Sequence, residues 1–347
     1  MSLQDKIAQF NPDGPGDTSG GIFGLPFHAD EASTVIVPVP WEVTVSYRAG
    51  TASGPKAILA ASPQIDLFDE TFGPIWESGI AMLDIPADVQ SESERMRPLA
   101  QLVIEFQEAG GSAVDDPFLE TQIDMLNDTC TRMVEYVKEV TSEYLEQGKK
   151  VILLGGDHST PLGLLQALAE RHKGFGILQI DAHMDLRDTY EGFTYSHASV
   201  MHNALQLPQV TDLVQVGIRD FAEGEYARLE SEGDRLKGFT MRQLRAAQYE
   251  GRTWKDLCGE IIAALPDMVY VSFDIDGLDP GLCPNTGTPV PGGLGFDEVT
   301  YLMRCLKESG KEIIGADLVE VAPGEGDEFD GMVGARILYL LCGLVGE

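Results

Sequence analysis

The strongest constraint in this chain is an alternation. Short, nearly uninterrupted apolar runs (STVIVPV, SGIAMLDI, KKVILL, GFGILQI, DLVQVGI, DMVYVSFDI and KEIIGADLVEV) are separated by longer segments of helical periodicity. A strand that is apolar on both faces has to be covered on both sides, and in parallel sheets helices do the covering. The pattern predicts an α/β fold: one three-layer α/β/α domain with a doubly wound, mostly parallel sheet of about eight strands. No Pro/Gly/Ser-rich linker divides residues 31–347, so a single catalytic-sized domain is expected there. Residues 1–30, rich in Gly, Pro and Asp, read as an irregular arm, and residues from about 86 to 118 as a polar insertion with one amphipathic helix.

Charge narrows the partners. The chain has 24 Lys and Arg against 56 Asp and Glu, a formal net charge of -32. Such a surface repels nucleic acid and anionic lipid headgroups and attracts cations, so small cationic molecules and metal ions are the expected partners. The five cysteines are widely spaced, odd in number and contain no CxxC pair, which suggests neither a disulfide framework nor a zinc knuckle. No stretch approaches the roughly 20 apolar residues that span a bilayer. The expectation is a soluble, cytoplasmic protein with no membrane partner.

In open parallel sheets ligands collect beyond the carboxyl ends of the strands. Four such ends carry unusual residues. GGDHS places His158 after two glycines. DAHMD spaces Asp181, His183 and Asp185 by two, which points them the same way if the strand continues. SFDIDGLDP does the same for Asp274 and Asp276, with Asp279 starting a turn before Pro280. Taken singly, each has an ordinary explanation as a turn or cap residue. Two carboxylates sharing a direction at a buried strand end, however, cannot both ionise cheaply without a cation. The inventory of carboxylates and imidazoles without thiolate suits manganese, or iron, cobalt and nickel, better than structural zinc. Divided over two ions with Asp181 and Asp274 shared, it would lower the pKa of a bridging water.

Together, GGDHS, DAHMD and SFDIDGLDP resemble, in order, the three signatures of the ureohydrolase superfamily, which includes arginase, agmatinase, guanidinobutyrase and formimidoylglutamase. The similarity runs from about residue 33 to residue 343 and includes WEVTVSYRAGTASGPKAI, QVGIRD and LVEVAP. The resemblance implies an arginase-like fold and a binuclear-metal hydrolase with two Mn2+ per subunit, with Ni2+ or Co2+ as alternatives. It implies His158, Asp181, Asp185 and Asp274 as ligands of one ion and Asp181, His183, Asp274 and Asp276 as ligands of the other. Asp185 would also steady the attacking water, His197 in YSHAS would shuttle a proton to the departing amine, and Glu320 in LVEVAP would pair with the substrate guanidinium. It implies a homo-oligomer, a trimer or hexamer. His28, His172 and His202 have no counterpart in the motifs and are expected to be structural.

The loop LRDTYEGFTYSHAS is closer to agmatinases than to the Asn/Thr/Ser-rich loop that reads an amino-acid head in arginase. This favours a small guanidino compound, agmatine first, cleaved to putrescine and urea. Guanidinobutyrate or another small guanidine compound is the alternative, with arginase or formimidoylglutamase activity behind it; a non-hydrolytic ligand-binding member should have lost metal ligands, and this chain has lost none. Asp188 and Glu191 are candidates for attracting a distal amine, and Arg187 for pairing with a carboxylate.

Overall fold

The computed structural model describes residues 3–113 and 116–346. Eight strands form one sheet: β1 (Thr34–Val39), β2 (Ile80–Met82), β3 (Lys150–Gly155), β4 (Phe175–Ile180), β5 (Val210–Val216), β6 (Leu236–Phe239), β7 (Met268–Asp274) and β8 (Glu312–Val319). Their order is β2-β1-β3-β8-β7-β4-β5-β6, and every pairing is parallel. The expected doubly wound α/β/α architecture is therefore the one observed.

Alternation of side chains along each strand divides the apolar residues between two cores. On β3, Ile152 and Leu154 face one core, and Val151 and Leu153 face the other. On β4 the same split separates Leu178 and Ile180 from Phe175 and Ile177. Helices Gly54–Ala61, Trp254–Ala263, Phe296–Glu308 and Phe329–Val345 cover the first face, and helices Ala87–Glu108, Pro117–Glu146 and Leu162–Arg171 cover the second.

Two stretches differ from the sequence expectation. The N-terminal arm is not irregular throughout: Leu3–Gln9 is helical, and Ile22, Phe23, Leu25 and Phe27 are buried in the first core. These apolar residues anchor a segment whose Gly, Pro and Asp content suggested a loose arm. Within residues 86–118, helix Ala87–Glu108 is a full covering element, burying Met96, Ala100, Val103 and Ile104. Residues 114 and 115 of that stretch lie outside the described residues.

The chain winds outward from β1 to β2 on one side and from β4 to β6 on the other, then returns to fill the middle with β7 and β8. The carboxyl ends of β3, β8, β7 and β4 thus lie side by side where the winding reverses, the place where such sheets hold ligands.

Candidate metal centre

His158 follows β3 through Gly155 and Gly156. A Cβ on Gly156 would stand 1.9 Å from the Trp41 carbonyl oxygen, so only glycine permits this close approach. The His158 ring is buried, and its Nδ1 lies 3.0 Å from Asp181 Oδ2, 2.9 Å from Asp185 Oδ2 and 3.2 Å from Asp274 Oδ2.

Strand alternation does not carry on through DAHMD. β4 ends at Ile180, and the three side chains converge because the chain turns. His183 makes an isolated parallel bridge to Asp220, and Asp185 takes a left-handed conformation at φ 54°. Asp274 closes β7, and Asp276 sits in the 3-10 turn Ile275–Gly277. The Asp276 carboxylate accepts the Ala182 N–H on Oδ1 at 3.0 Å and lies 3.0 Å from His183 Nδ1 through Oδ2. Asp279, by contrast, accepts the Gly281 N–H at 2.9 Å, ordinary turn chemistry.

Two groups of potential metal-binding atoms result, each within 4.8 Å of one another: His158, Asp181 and Asp185, and Asp181, His183 and Asp276. Asp181 belongs to both. Asp274 joins the first through its contact with His158, while its other oxygen accepts the Asp276 N–H at 2.8 Å. All six sequence-selected ligand residues are therefore brought together.

Burial and mutual repulsion make it costly to ionise these carboxylates without a compensating cation. Burial, together with repulsion from Asp276 and Asp181, pushes the Asp274 carboxyl well up, and burial with Asp181 pushes Asp185 up to about 7. Burial alone would depress the His158 imidazole, but the surrounding carboxylates hold it well above its ordinary value. His158 Nδ1 is nonetheless left without a hydrogen-bond partner of good geometry, although three carboxylate oxygens surround it. A buried ring nitrogen aimed at the centre of several oxygens is a ligand array more than a hydrogen-bond network. The donor set, oxygen-rich with two imidazoles, fits a pair of divalent ions.

Above the cluster is a cavity of about 250 Å³ lined by Glu320, His197, Arg187, Tyr190, Asp220 and Phe221, among others. Glu320 follows β8 in a left-handed conformation, φ 63°. Its Oε1 accepts the His158 N–H at 2.9 Å, and Gly287 leaves room beside Oε2, where a Cβ would stand at 2.9 Å. His197 is half-buried, its N–H donating to Thr44 Oγ1 at 3.3 Å and its ring edge-on to Tyr190. Burial, with the His183 and His158 imidazoles nearby, pushes its imidazole down to about 3.

The structure reassigns the candidates for reading a substrate tail. Asp188 points to solvent and pairs with His202 Nδ1 at 2.9 Å. Neither Asp188 nor Glu191 lines the cavity. Arg187 lines it but is engaged, 3.7 Å from Glu225 and 4.6 Å from the centre of the Tyr190 ring. Asp220, within the QVGIRD segment, also lines it, and no hydrogen bond or ion pair engages its carboxylate among the described residues. Sequence reasoning also missed the residues behind the cluster. Gln179 Nε2 donates to Asp181 Oδ2 at 2.7 Å and is itself held by Gln215, while Ser272 meets His158 from the far side. The only available signal was a polar residue inside an apolar strand. His28 and His172 stay outside the cavity.

Comparison with known proteins agrees with this geometry. The model of the Arginase family matches residues 32–343. N(1)-aminopropylagmatine ureohydrolase of Synechocystis sp. is 32% identical over 321 residues, covering 91% of this chain and 90% of that protein. Agmatinase of Proteus mirabilis is 33% identical over 326 residues, covering 90% and 89%. The crystal structure of agmatine ureohydrolase of Thermoplasma volcanium superposes with a TM-score of 0.70 at 24% identity, covering 99% of this chain and 97% of that one.

Proposed function

This chain belongs to the Arginase family and is a hydrolase of guanidino compounds, and from that premise we propose that it releases urea from a guanidine with a cationic tail, agmatine first. The observation that carries the reading is two candidate ligand groups sharing Asp181, of which His158, His183 and Asp185 line a cavity whose walls also carry Glu320 and His197. His158, Asp181, Asp185, Asp274, His183 and Asp276 would hold two divalent ions, manganese by donor type. When bound, such a pair lowers the pKa of water enough to supply a nucleophile at neutral pH.

The chain's own residues would do the rest. The guanidinium carbon is a weak electrophile because its charge is delocalised, so it must be held flat and fixed. The Glu320 carboxylate, steadied by the His158 N–H, suits that task because a carboxylate matches the fork of guanidinium donors. The cost of burying Glu320, which pushes its carboxyl well up, is offset when a cation arrives beside it. His197, in the cavity wall, is placed to pass a proton to the leaving amine. Asp185, facing the same space, can take a hydrogen bond from the attacking water.

The tail reading rests on charge. Arg187 is already occupied by Glu225 and Tyr190, while the Asp220 carboxylate is unengaged and faces the cavity. A distal ammonium is therefore better matched than the carboxylate of guanidinobutyrate. The proposal includes a cytoplasmic homo-oligomer. Among the described residues no helix is long and apolar enough to cross a membrane.

The test is urea release from a panel after manganese loading: agmatine, N1-aminopropylagmatine, 4-guanidinobutyrate and arginine. The amine-tailed compounds should give the highest kcat/KM. A preference for 4-guanidinobutyrate or arginine would overturn the tail assignment, and no urea from any of them would overturn the reading.

A further inference from the structure

The nitrogen that His158 turns toward the metal centre is decided outside that centre. His158 Nε2 lies 2.9 Å from Ser272 Oγ, and both residues are buried. Ser272 has a single hydroxyl proton, which it donates to Asp317 Oδ1 at 3.1 Å. Ser272 and Asp317 are register partners on the adjacent strands β7 and β8. The same Oδ1 accepts the Phe273 N–H at 3.2 Å, which anchors the carboxylate. With its proton turned toward Asp317, the hydroxyl can only accept from the imidazole. Nε2 must then carry the ring hydrogen, and Nδ1, the atom facing three carboxylates, keeps its lone pair.

We propose that Asp317 and Ser272 form a positioning relay that holds His158 in the Nε2–H tautomer, so that the imidazole meets a metal ion through Nδ1. The inference rests on the metal-centre reading above. Neither relay residue lines the cavity. The relay also accounts for an expensive placement. Asp317 is fully inaccessible in the middle of the apolar run EIIGADLV, where a carboxylate without a task would only destabilise the fold. A carboxylate suits the end of the relay because it only accepts. An apolar side chain of similar size in its place would leave the Ser272 hydroxyl proton without that acceptor and free to point back at His158, which favours the opposite tautomer.

The experiment is a calorimetric titration of the metal-stripped full chain with Mn2+, comparing wild type, Ser272→Ala, Ser272→Thr, Asp317→Leu and the Ser272→Ala/Asp317→Leu double variant. Ser272→Ala and Asp317→Leu should each weaken one of two binding steps by about 10–100-fold, the range typical for loss of a partner behind a metal ligand. Ser272→Thr keeps the hydroxyl and should bind as wild type. Because both act through one hydrogen-bonded chain, the double variant should bind no more weakly than the worse single variant. If the wild type binds two ions and both single variants match it, or if the losses multiply in the double variant, the relay is wrong while the metal centre stands. If the wild type takes up no Mn2+, both fall together.

Discussion

Asp185 and Glu320 share a feature that links their chemistry to their backbone: both are non-glycine residues in the left-handed region, at φ 54° and 63°. Such conformations cost on the order of 1–3 kcal/mol each and persist only where the surroundings enforce them. Here the Asp185 carbonyl accepts the N–H groups of Met201 and His202, and the Glu320 N–H donates to the Gly156 carbonyl at 2.7 Å. The strain aims both carboxylates into one cavity. His197 lies in the same wall but outside the ligand groups, so its loss should separate chemistry from metal binding. Changing His197→Ala is expected to lower kcat by roughly 100-fold or more, a typical share for a proton-transferring residue, with metal content by elemental analysis equal to wild type. Unaltered turnover would remove His197 from the mechanism. The identities of these residues were legible in the motifs, but the means of their convergence was not. Period-two spacing suggested an extended strand through DAHMD, whereas the chain turns after Ile180.

At the scale of elements, the segment 188–193 closes the side of the cavity as a tight turn in which Tyr190 and Phe193 pair. Helices Ala87–Glu108 and Pro117–Glu146 hold it: Gln107 donates to the Glu191 carbonyl at 2.9 Å, and Asn127 bonds Gly192 and Thr194. Glu191 is half-buried there with Oε2 unpartnered, and burial with the nearby Glu108 pushes its carboxyl up from 4.5 to about 7, against the pull of Arg97 and Arg187. Between those two values the folded chain keeps a proton that the unfolded chain has lost, so this group's contribution to stability falls as pH rises through the window. Glu191→Gln removes the dependence. The melting temperature of the variant relative to wild type should therefore climb between about pH 4.5 and 7, and a constant difference across that range would contradict the assignment. Strands and covering helices were legible because periodicity reports burial. The helical content of the N-terminal arm was not, because glycine and proline mark turns without saying whether nearby apolar residues find a core.

For the whole molecule, topology and charge point the same way. Winding outward twice and returning through the middle sets four strand ends side by side, and the acids there are a local concentration within a chain already at -32. A surface of that sign draws cationic substrates and metal ions toward the cavity, an attraction that weakens as salt screens it. The ordered motifs made the family and the six residues of the acidic cluster readable from sequence, since such chemistry needs particular residue types. The supporting glutamines, Ser272 and Asp317 were not readable, because a polar residue within an apolar strand acquires meaning only once its cross-strand neighbour is known. The central claim is that one acidic cluster holds two ions through a shared Asp181 and that urea release depends on both. The direct measurement is elemental analysis of purified wild type and Asp181→Ala, paired with urea release from agmatine. Two ions per chain are expected in the wild type, and depleted metal with urea production abolished in the variant. A single ion per chain in fully active enzyme, or undiminished urea from Asp181→Ala, would contradict it.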